Sequence, residues 1–304
     1  MDIIDYFDRK DNSDINKQNL NNILHNCGLN LTEEQMNIIT SDHDNIMVNG
    51  VPGSAKTTTL VLRQACKITQ KQKIQNTIFL TQVSNVTEEL VNRLQKIIPD
   101  IKFKYSSTSR VVTEYNGHSL EFSNYDGFID NQLRQYLKDP KNPDYLEWQV
   151  NGKIRQQRKW DSKFGKAYEK KRDIFNYLAK NNKLTLKLKN GKLIDKVILD
   201  EVQDFSQTVA MVFRSIINNN KIAFEGYGDV LQSIWYEYCK NEEENEVSPY
   251  PINIFKTIKD VKLFSLTKSF RLPWWHCEFL RIISKSANEN YNRTPIEAFK
   301  EKPT

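Results

Sequence analysis

The chain has 304 residues, of which 38% are hydrophobic and 27% charged, and its formal net charge is +6. That balance supports one large core or two smaller ones and excludes a disordered chain. No apolar run approaches the roughly 20 residues of a membrane helix, and the acidic, polar start MDIIDYFDRKDNSD is not a secretory signal. Cys27, Cys66, Cys239 and Cys277 are far apart and in no metal-ligand spacing. They read as reduced thiols, which places the protein in the cytoplasm, or in a nucleus or viral factory if its source is a eukaryote or a large DNA virus.

In chain order, Leu31-Thr32-Glu33-Glu34-Gln35 opens a helix, and NIMVN at 45–49 is a short buried strand. A glycine-containing turn follows, then a helical pattern from Lys56 to about Gln70. A second strand falls at 77–81 and a second helix at 87–97. VVTEYNGHSLEF alternates on both sides of Asn116-Gly117, the strongest short hairpin signal. Residues 130–190 are polar, basic and helical and read as an insertion, closing on a second hairpin around Asn190-Gly191. KVIL at 196–199 is a buried strand ending in acids, and IAFE at 222–225 is another, ending at Gly226. Strands alternating with helices predict a parallel α/β sheet whose ligands bind at the carboxyl ends of its strands.

The turn after the first strand is Gly50-Val51-Pro52-Gly53-Ser54-Ala55-Lys56-Thr57, followed by Thr58. A strand before it and a helix after it are the context of a phosphate-binding loop. Backbone N–H groups there would cradle the phosphates of ATP, Lys56 would neutralise the β/γ oxygens, and Thr57 would coordinate Mg²⁺. Ala55 stands where the pattern has glycine and fits if its φ is negative. The strand 196–199 delivers Asp200 and Glu201, a metal anchor and a base for hydrolysis.

The basic charge is concentrated. Residues 151–172 carry nine Lys/Arg and two Asp/Glu, so the remaining 282 residues sum to −1. Lys159 and Trp160 lie in that stretch with Phe164 and Tyr168, a mixture suited to single-stranded nucleic acid, although a solvated helix face has the same composition.

Taken together, these segments resemble superfamily 1 helicases of the UvrD/Rep type. Asp200-Glu201-Val202-Gln203-Asp204 matches that family's motif II, Gly228-Asp229-Val230-Leu231-Gln232-Ser233-Ile234-Trp235 its motif III, and Leu266-Thr267-Lys268-Ser269-Phe270-Arg271 its motif IV. Gln82-Val83-Ser84-Asn85 with Glu89 and Arg93 is similar to motif Ia, and Asn124-Tyr125-Asp126-Gly127-Phe128 to motif Ib. The resemblance implies a RecA-like ATP-binding domain over 1–129 and 191–304, with a small basic subdomain inserted at 130–190. It implies that Gln232 and Arg271 sense the γ-phosphate and Phe270 stacks on adenine. It places nucleic acid on Val83, Ser84, Asn85, Tyr125, Phe128 and Trp235, beside Lys159 and Trp160 of the basic stretch. Gln35 would read the adenine edge, yet Thr32-x-x-Gln35 is equally a helix capping box. Met36 replaces an arginine of the pattern, and Glu237 stands where the family has a stacking aromatic.

The expectation is the ATP-binding core of a DNA helicase that couples hydrolysis to 3′–5′ movement on single-stranded or partly duplex nucleic acid, with DNA favoured over RNA. The family's second RecA-like domain would lie beyond Thr304. The alternatives are a nucleotide-gated nucleic-acid-binding module that does not unwind, and an RNA helicase.

Overall fold

A computed structural model describes residues 30–69, 74–82, 84–107, 110–138, 175–179, 184–229, 232, 251–287 and 297–298. In chain order its main elements are α1 (Glu33–Ile39), β1 (Ile46–Gly50), α2 (Lys56–Thr69), β2 (Asn76–Thr81) and α3 (Ser84–Ile97). Then come β3 (Lys104–Ser107), β4 (Arg110–Tyr115), β5 (His118–Asn124), α4 (Tyr125–Lys138) and β6 (Lys196–Leu199). A 3₁₀ turn (Val202–Asp204), α5 (Gln207–Asn220), β7 (Ala223–Gly228), α6 (Pro251–Phe255) and β8 (Lys262–Leu266) follow. Last are β9 (Lys268–Ser269), α7 (Trp274–Ala287) and β10 (Glu297–Ala298).

Eight strands form one sheet in the order β3-β4-β5-β2-β6-β7-β1-β8. The six from β5 to β8 are parallel, and β4 and β3 extend the sheet antiparallel. All six parallel strands therefore end on one edge, where Gly50, Thr81, Asn124, Leu199, Gly228 and Leu266 release the chain. The predicted hairpin is present: Tyr115 pairs with His118, and Asn116 (φ 49) and Gly117 (φ 87) take the left-handed conformations of a two-residue primed turn. The second hairpin is reduced to a single antiparallel bridge, Lys187 with Leu193, closed by Gly191 at φ 85.

Alternation along the strands makes two cores. Met47, Ile78, Leu80, Val197, Leu199 and Phe224 face α4, α5 and α6, whereas Ile46, Val48, Phe79 and Ile198 face α1, α2 and α3. The described flanks of the inserted segment join the first core through Leu133, Phe175, Leu178, Leu184, Leu186 and Leu188. Gln132 also bonds both ways with Lys187. The described residues on both sides of this segment therefore pack as part of the main core. Residues 139–174, with Lys159 and Trp160, lie outside the described residues.

The second core face holds a buried charge cluster that period-2 alternation would fill with apolar side chains. Glu225 on β7 and Lys196 on β6 point to this side, 0% and 1% exposed. Glu225 accepts from Arg63 Nε (3.0 Å), Lys67 Nζ (3.2 Å), Gln64 Nε2 (2.6 Å), Tyr227 Oη (3.0 Å) and Lys196 Nζ. Burial alone would raise the Glu225 pKa, but Arg63, Lys196 and Lys67 together hold it well below the usual carboxylate range. Arg63 also donates to the carbonyls of Ile38, Ser41 and His43, which fastens the end of α1 to α2.

Candidate nucleotide site

The phosphate loop is built where β1 runs out of register partners. Val51 N–H donates to Leu266 O at 3.0 Å, and Ser54 N–H turns back to Val51 O at 3.1 Å. Gly53 has φ 74, and a Cβ there would lie 2.6 Å from Arg271 Cβ, so glycine is needed on both counts. A Cβ on Gly50 would lie 2.6 Å from Lys56 Cγ; its absence lets the lysine fold across the loop. Lys56 Nζ donates to Gly50 O (3.2 Å) and sits 3.7 Å from Asp229 Oδ2, with the side chain almost fully buried. The lysine is held by the loop's own carbonyls and by the acid that follows β7.

Ala55 has φ 61. The negative φ under which alanine would fit is not what the loop adopts, and the left-handed region costs an L-residue about 1–2 kcal/mol. Ala55→Gly is therefore expected to raise the melting temperature by about 1–3 °C, after the greater chain entropy of glycine is subtracted. A melt that is unchanged or lowered would show that the loop carries no strain at this position.

The acids enter from β6. Thr57 Oγ1 donates to Asp200 Oδ2 at 3.1 Å, joining the loop to motif II. Asp200 is 1% exposed, and burial together with the neighbouring Glu201 pushes its carboxyl up to about 7. Two crowded carboxylates beside a threonine hydroxyl are a site short of positive charge, so Thr57 and Asp200 fit Mg²⁺. Among the described residues no group of three or more His, Cys, Asp or Glu could hold a metal ion by itself. Glu201 is left-handed (φ 52, ψ 51), which breaks the extended run of the strand at this residue. Gln203 Nε2 donates to Glu201 Oε2 at 2.8 Å, and Gln203 Oε1 accepts from Asp229 N–H at 2.9 Å.

Motif IV closes a second side. Ser269 Oγ donates to Pro52 O (2.8 Å), and Phe270 N–H donates to Gly53 O (3.0 Å). Phe270, 40% exposed, and the exposed Arg271 stand beside the loop. Glu34 anchors this segment by accepting from both the N–H (2.9 Å) and hydroxyl (2.6 Å) of Thr267. Of the two readings of Gln35, the structure shows the capping box. Its Oε1 accepts from Thr32 N–H, and its Nε2 donates to Thr59 Oγ1 at 3.3 Å, with the side chain buried. Gln232 is exposed, and its N–H donates to Asp229 O at 3.1 Å. The Thr58 hydroxyl accepts from Arg93 of α3 at 2.8 Å and so faces away from the loop mouth.

The segments resembling motifs Ia and Ib meet at the ends of β2 and β5. Asn124 Oδ1 caps α4 by accepting from Gly127 N–H (2.9 Å), while its Nδ2 donates to Ser84 Oγ (3.0 Å) at the start of α3, next to Asn85. Tyr125 and Phe128 correct an expectation: they are 1% and 0% exposed, packed among Phe205, Phe213 and Phe175. Neither ring has a face to offer a base. They form the inward i, i+3 stripe of α4, and burying two aromatic rings there stabilises more than surface stacking would. Val83 and Trp235 lie outside the described residues.

A parallel sheet with this loop at the end of β1 and an acid pair at the end of β6 is a RecA-like P-loop ATPase. More narrowly, the chain belongs to the family of the UvrD/REP helicase N-terminal domain, whose model matches residues 31–193. It is thus a helicase-type, ATP-dependent enzyme core. Solved structures with similar chain traces include the large terminase ATPase domain of Thermus phage P74-26, at 10% identity and TM-score 0.43 over 88% of this chain and 92% of that one. A DEAD box protein from Methanococcus jannaschii has 13% identity and TM-score 0.43, over 94% of this chain and 64% of that one. Bacteroides sp Pif1 in complex with ADP-AlF4 has 15% identity and TM-score 0.34, over 84% of this chain and 46% of that one. No curated protein matches the sequence significantly. Among the described residues no helix is long and apolar enough to cross a membrane.

Sequence alone does not reveal Asp229 as a partner of Lys56, Glu34 as the anchor of motif IV, or the Glu225 cluster. The last had a visible signal: Glu225 and Arg63 interrupt a buried strand and the apolar face of a helix, and buried charges come with partners.

Proposed function

We propose that the chain is the ATP-hydrolysing core of a superfamily 1 DNA helicase acting 3′–5′ on single strands. The observation that supports this best is the Thr57–Asp200 bond, which joins the loop to the acids that follow β6 at one edge of the sheet. ATP would enter with its phosphates on the N–H groups from Gly53 to Thr58 at the start of α2. Lys56 would then leave Gly50 O and Asp229 for the β/γ oxygens. Thr57 and Asp200 would hold Mg²⁺, which would supply positive charge against that building up on the phosphates. Glu201 would take a proton from the attacking water as the Pγ–O bond to ADP breaks, while Arg271 and Gln232 meet the γ-phosphate and Phe270 stacks on adenine.

A single strand would cross the paired N-termini of α3 and α4, where Ser84, Asn85 and Asn124 present hydrogen-bonding groups and two helix dipoles favour phosphates. The basic residues around Lys159 and Trp160, and Trp235, would extend this track.

ATPase turnover with and without single-stranded DNA or RNA tests the reading. The expected result is stimulation, greater with DNA, and loss of activity in Lys56→Ala. No response to either nucleic acid would defeat it. The strain at Ala55 favours one second reading, a slow nucleotide-gated binding module; that reading predicts ATP-dependent strand affinity with no strand displacement by the full-length protein.

A further inference from the structure

We infer that Gln203 is a positioning residue that holds the Glu201 carboxylate and the turn after β7 in a single register; the inference rests on the ATPase reading above. Gln203 is 3% exposed, and its amide faces both groups at once. The N–H side donates to Glu201 Oε2 (2.8 Å) and the carbonyl accepts from Asp229 N–H (2.9 Å). This bridge needs a close approach. A Cβ on Gly228 would lie 2.8 Å from Gln203 Oε1 and 2.5 Å from Val202 Cγ2, so glycine at 228 is what admits the amide.

What it joins is specific. Glu201 is only partly buried and starts from a left-handed backbone, so its carboxylate has several rotamers open to it, and a bond to Oε2 selects one. Asp229 is the acid that pairs with Lys56 at 3.7 Å and whose carbonyl accepts from Gln232 N–H. A planar amide with one donor and one acceptor can serve both ends; glutamate can accept but not donate to Glu201, and methionine can do neither. A buried glutamine that merely satisfied the turn would leave the placement of Glu201 untouched.

Hydrolysis and ATP-analogue binding are to be measured for the wild type, Gln203→Met, Gln203→Glu, Glu201→Gln and the Gln203→Met/Glu201→Gln double variant, alongside hydrogen exchange at the Asp229 amide. A misplaced base lowers turnover by on the order of 10- to 100-fold, so both Gln203 variants should lose that much while analogue affinity stays within about threefold. On the Glu201→Gln background, Gln203→Met should cost less than about twofold. The Asp229 amide should exchange about tenfold faster in Gln203→Met and stay protected in Gln203→Glu. Equal losses on both backgrounds, or equal protection in all variants, overturn the inference. A wild type that binds ATP but does not turn it over defeats the ATPase reading instead, and amide exchange then still decides whether Gln203 holds the turn.

Discussion

Glu201→Gln is expected to lower ATP hydrolysis by about 10²–10⁴-fold, the range for removal of a positioned general base, with little loss of ATP affinity. The expectation comes from the division of labour at the end of β6. Asp200 is the buried member, bonded to Thr57 and fixed where the metal would sit. Glu201 is the more exposed member, left-handed in backbone and held by Gln203. Replacing its carboxylate by an amide keeps shape and hydrogen bonding but removes the proton acceptor. It also removes a negative charge that raises the Asp200 pKa, so metal–nucleotide binding should be kept or strengthened. Single-turnover hydrolysis and analogue titration separate the two quantities. Equal loss of both would mean that Glu201 binds rather than activates.

Glu225→Gln is expected to destabilise the fold by about 3–5 kcal/mol, the cost of leaving buried charges without their partner. Arg63 and Lys196 have no water to turn to, being 0% and 1% exposed, and Lys67 is only partly open to solvent. The midpoint of thermal unfolding should fall by on the order of 10 °C. The damage should also reach the site. β7 ends at Gly228 and leads directly into Asp229, and Arg63 clamps the carbonyls of Ile38, Ser41 and His43 behind the loop helix. The pH dependence follows from the depressed Glu225 pKa. Its contribution is complete above the unfolded value of about 4.3 and is lost as pH falls toward the lower folded value. The wild type should therefore keep this stability at pH 5–8 and lose it in stronger acid. A loss under about 1 kcal/mol in Glu225→Gln would mean that the cluster relaxes onto other partners.

Local chemistry was legible in the sequence. Gly53, Lys56 and Thr57 declare the phosphate loop, Asn116-Gly117 declares its turn, and KVIL before Asp200 declares a buried strand. Each depends on a few consecutive residues whose backbone demands are specific. What depends on distant residues was not legible. Nothing near Glu225 in sequence reveals Arg63 or Lys196, which reach it across the sheet. The left-handed φ of Ala55 is not one that alanine favours by itself, so its local sequence did not announce it. Tyr125 and Phe128 had a readable pattern that a motif resemblance overrode. With Ile129, Gln132 and Leu133 they fall at helical spacing, and their burial follows from that. The choice for Gln35 needed the positions of Thr32 and Thr59, on two different elements.

If Gly50–Thr57 and Asp200 form one Mg²⁺–nucleotide site, calorimetric titration with a non-hydrolysable ATP analogue should depend on the metal. Binding measured with Mg²⁺ should weaken by at least about tenfold with a chelator, and again in Lys56→Ala. Equal affinity in all three would contradict it.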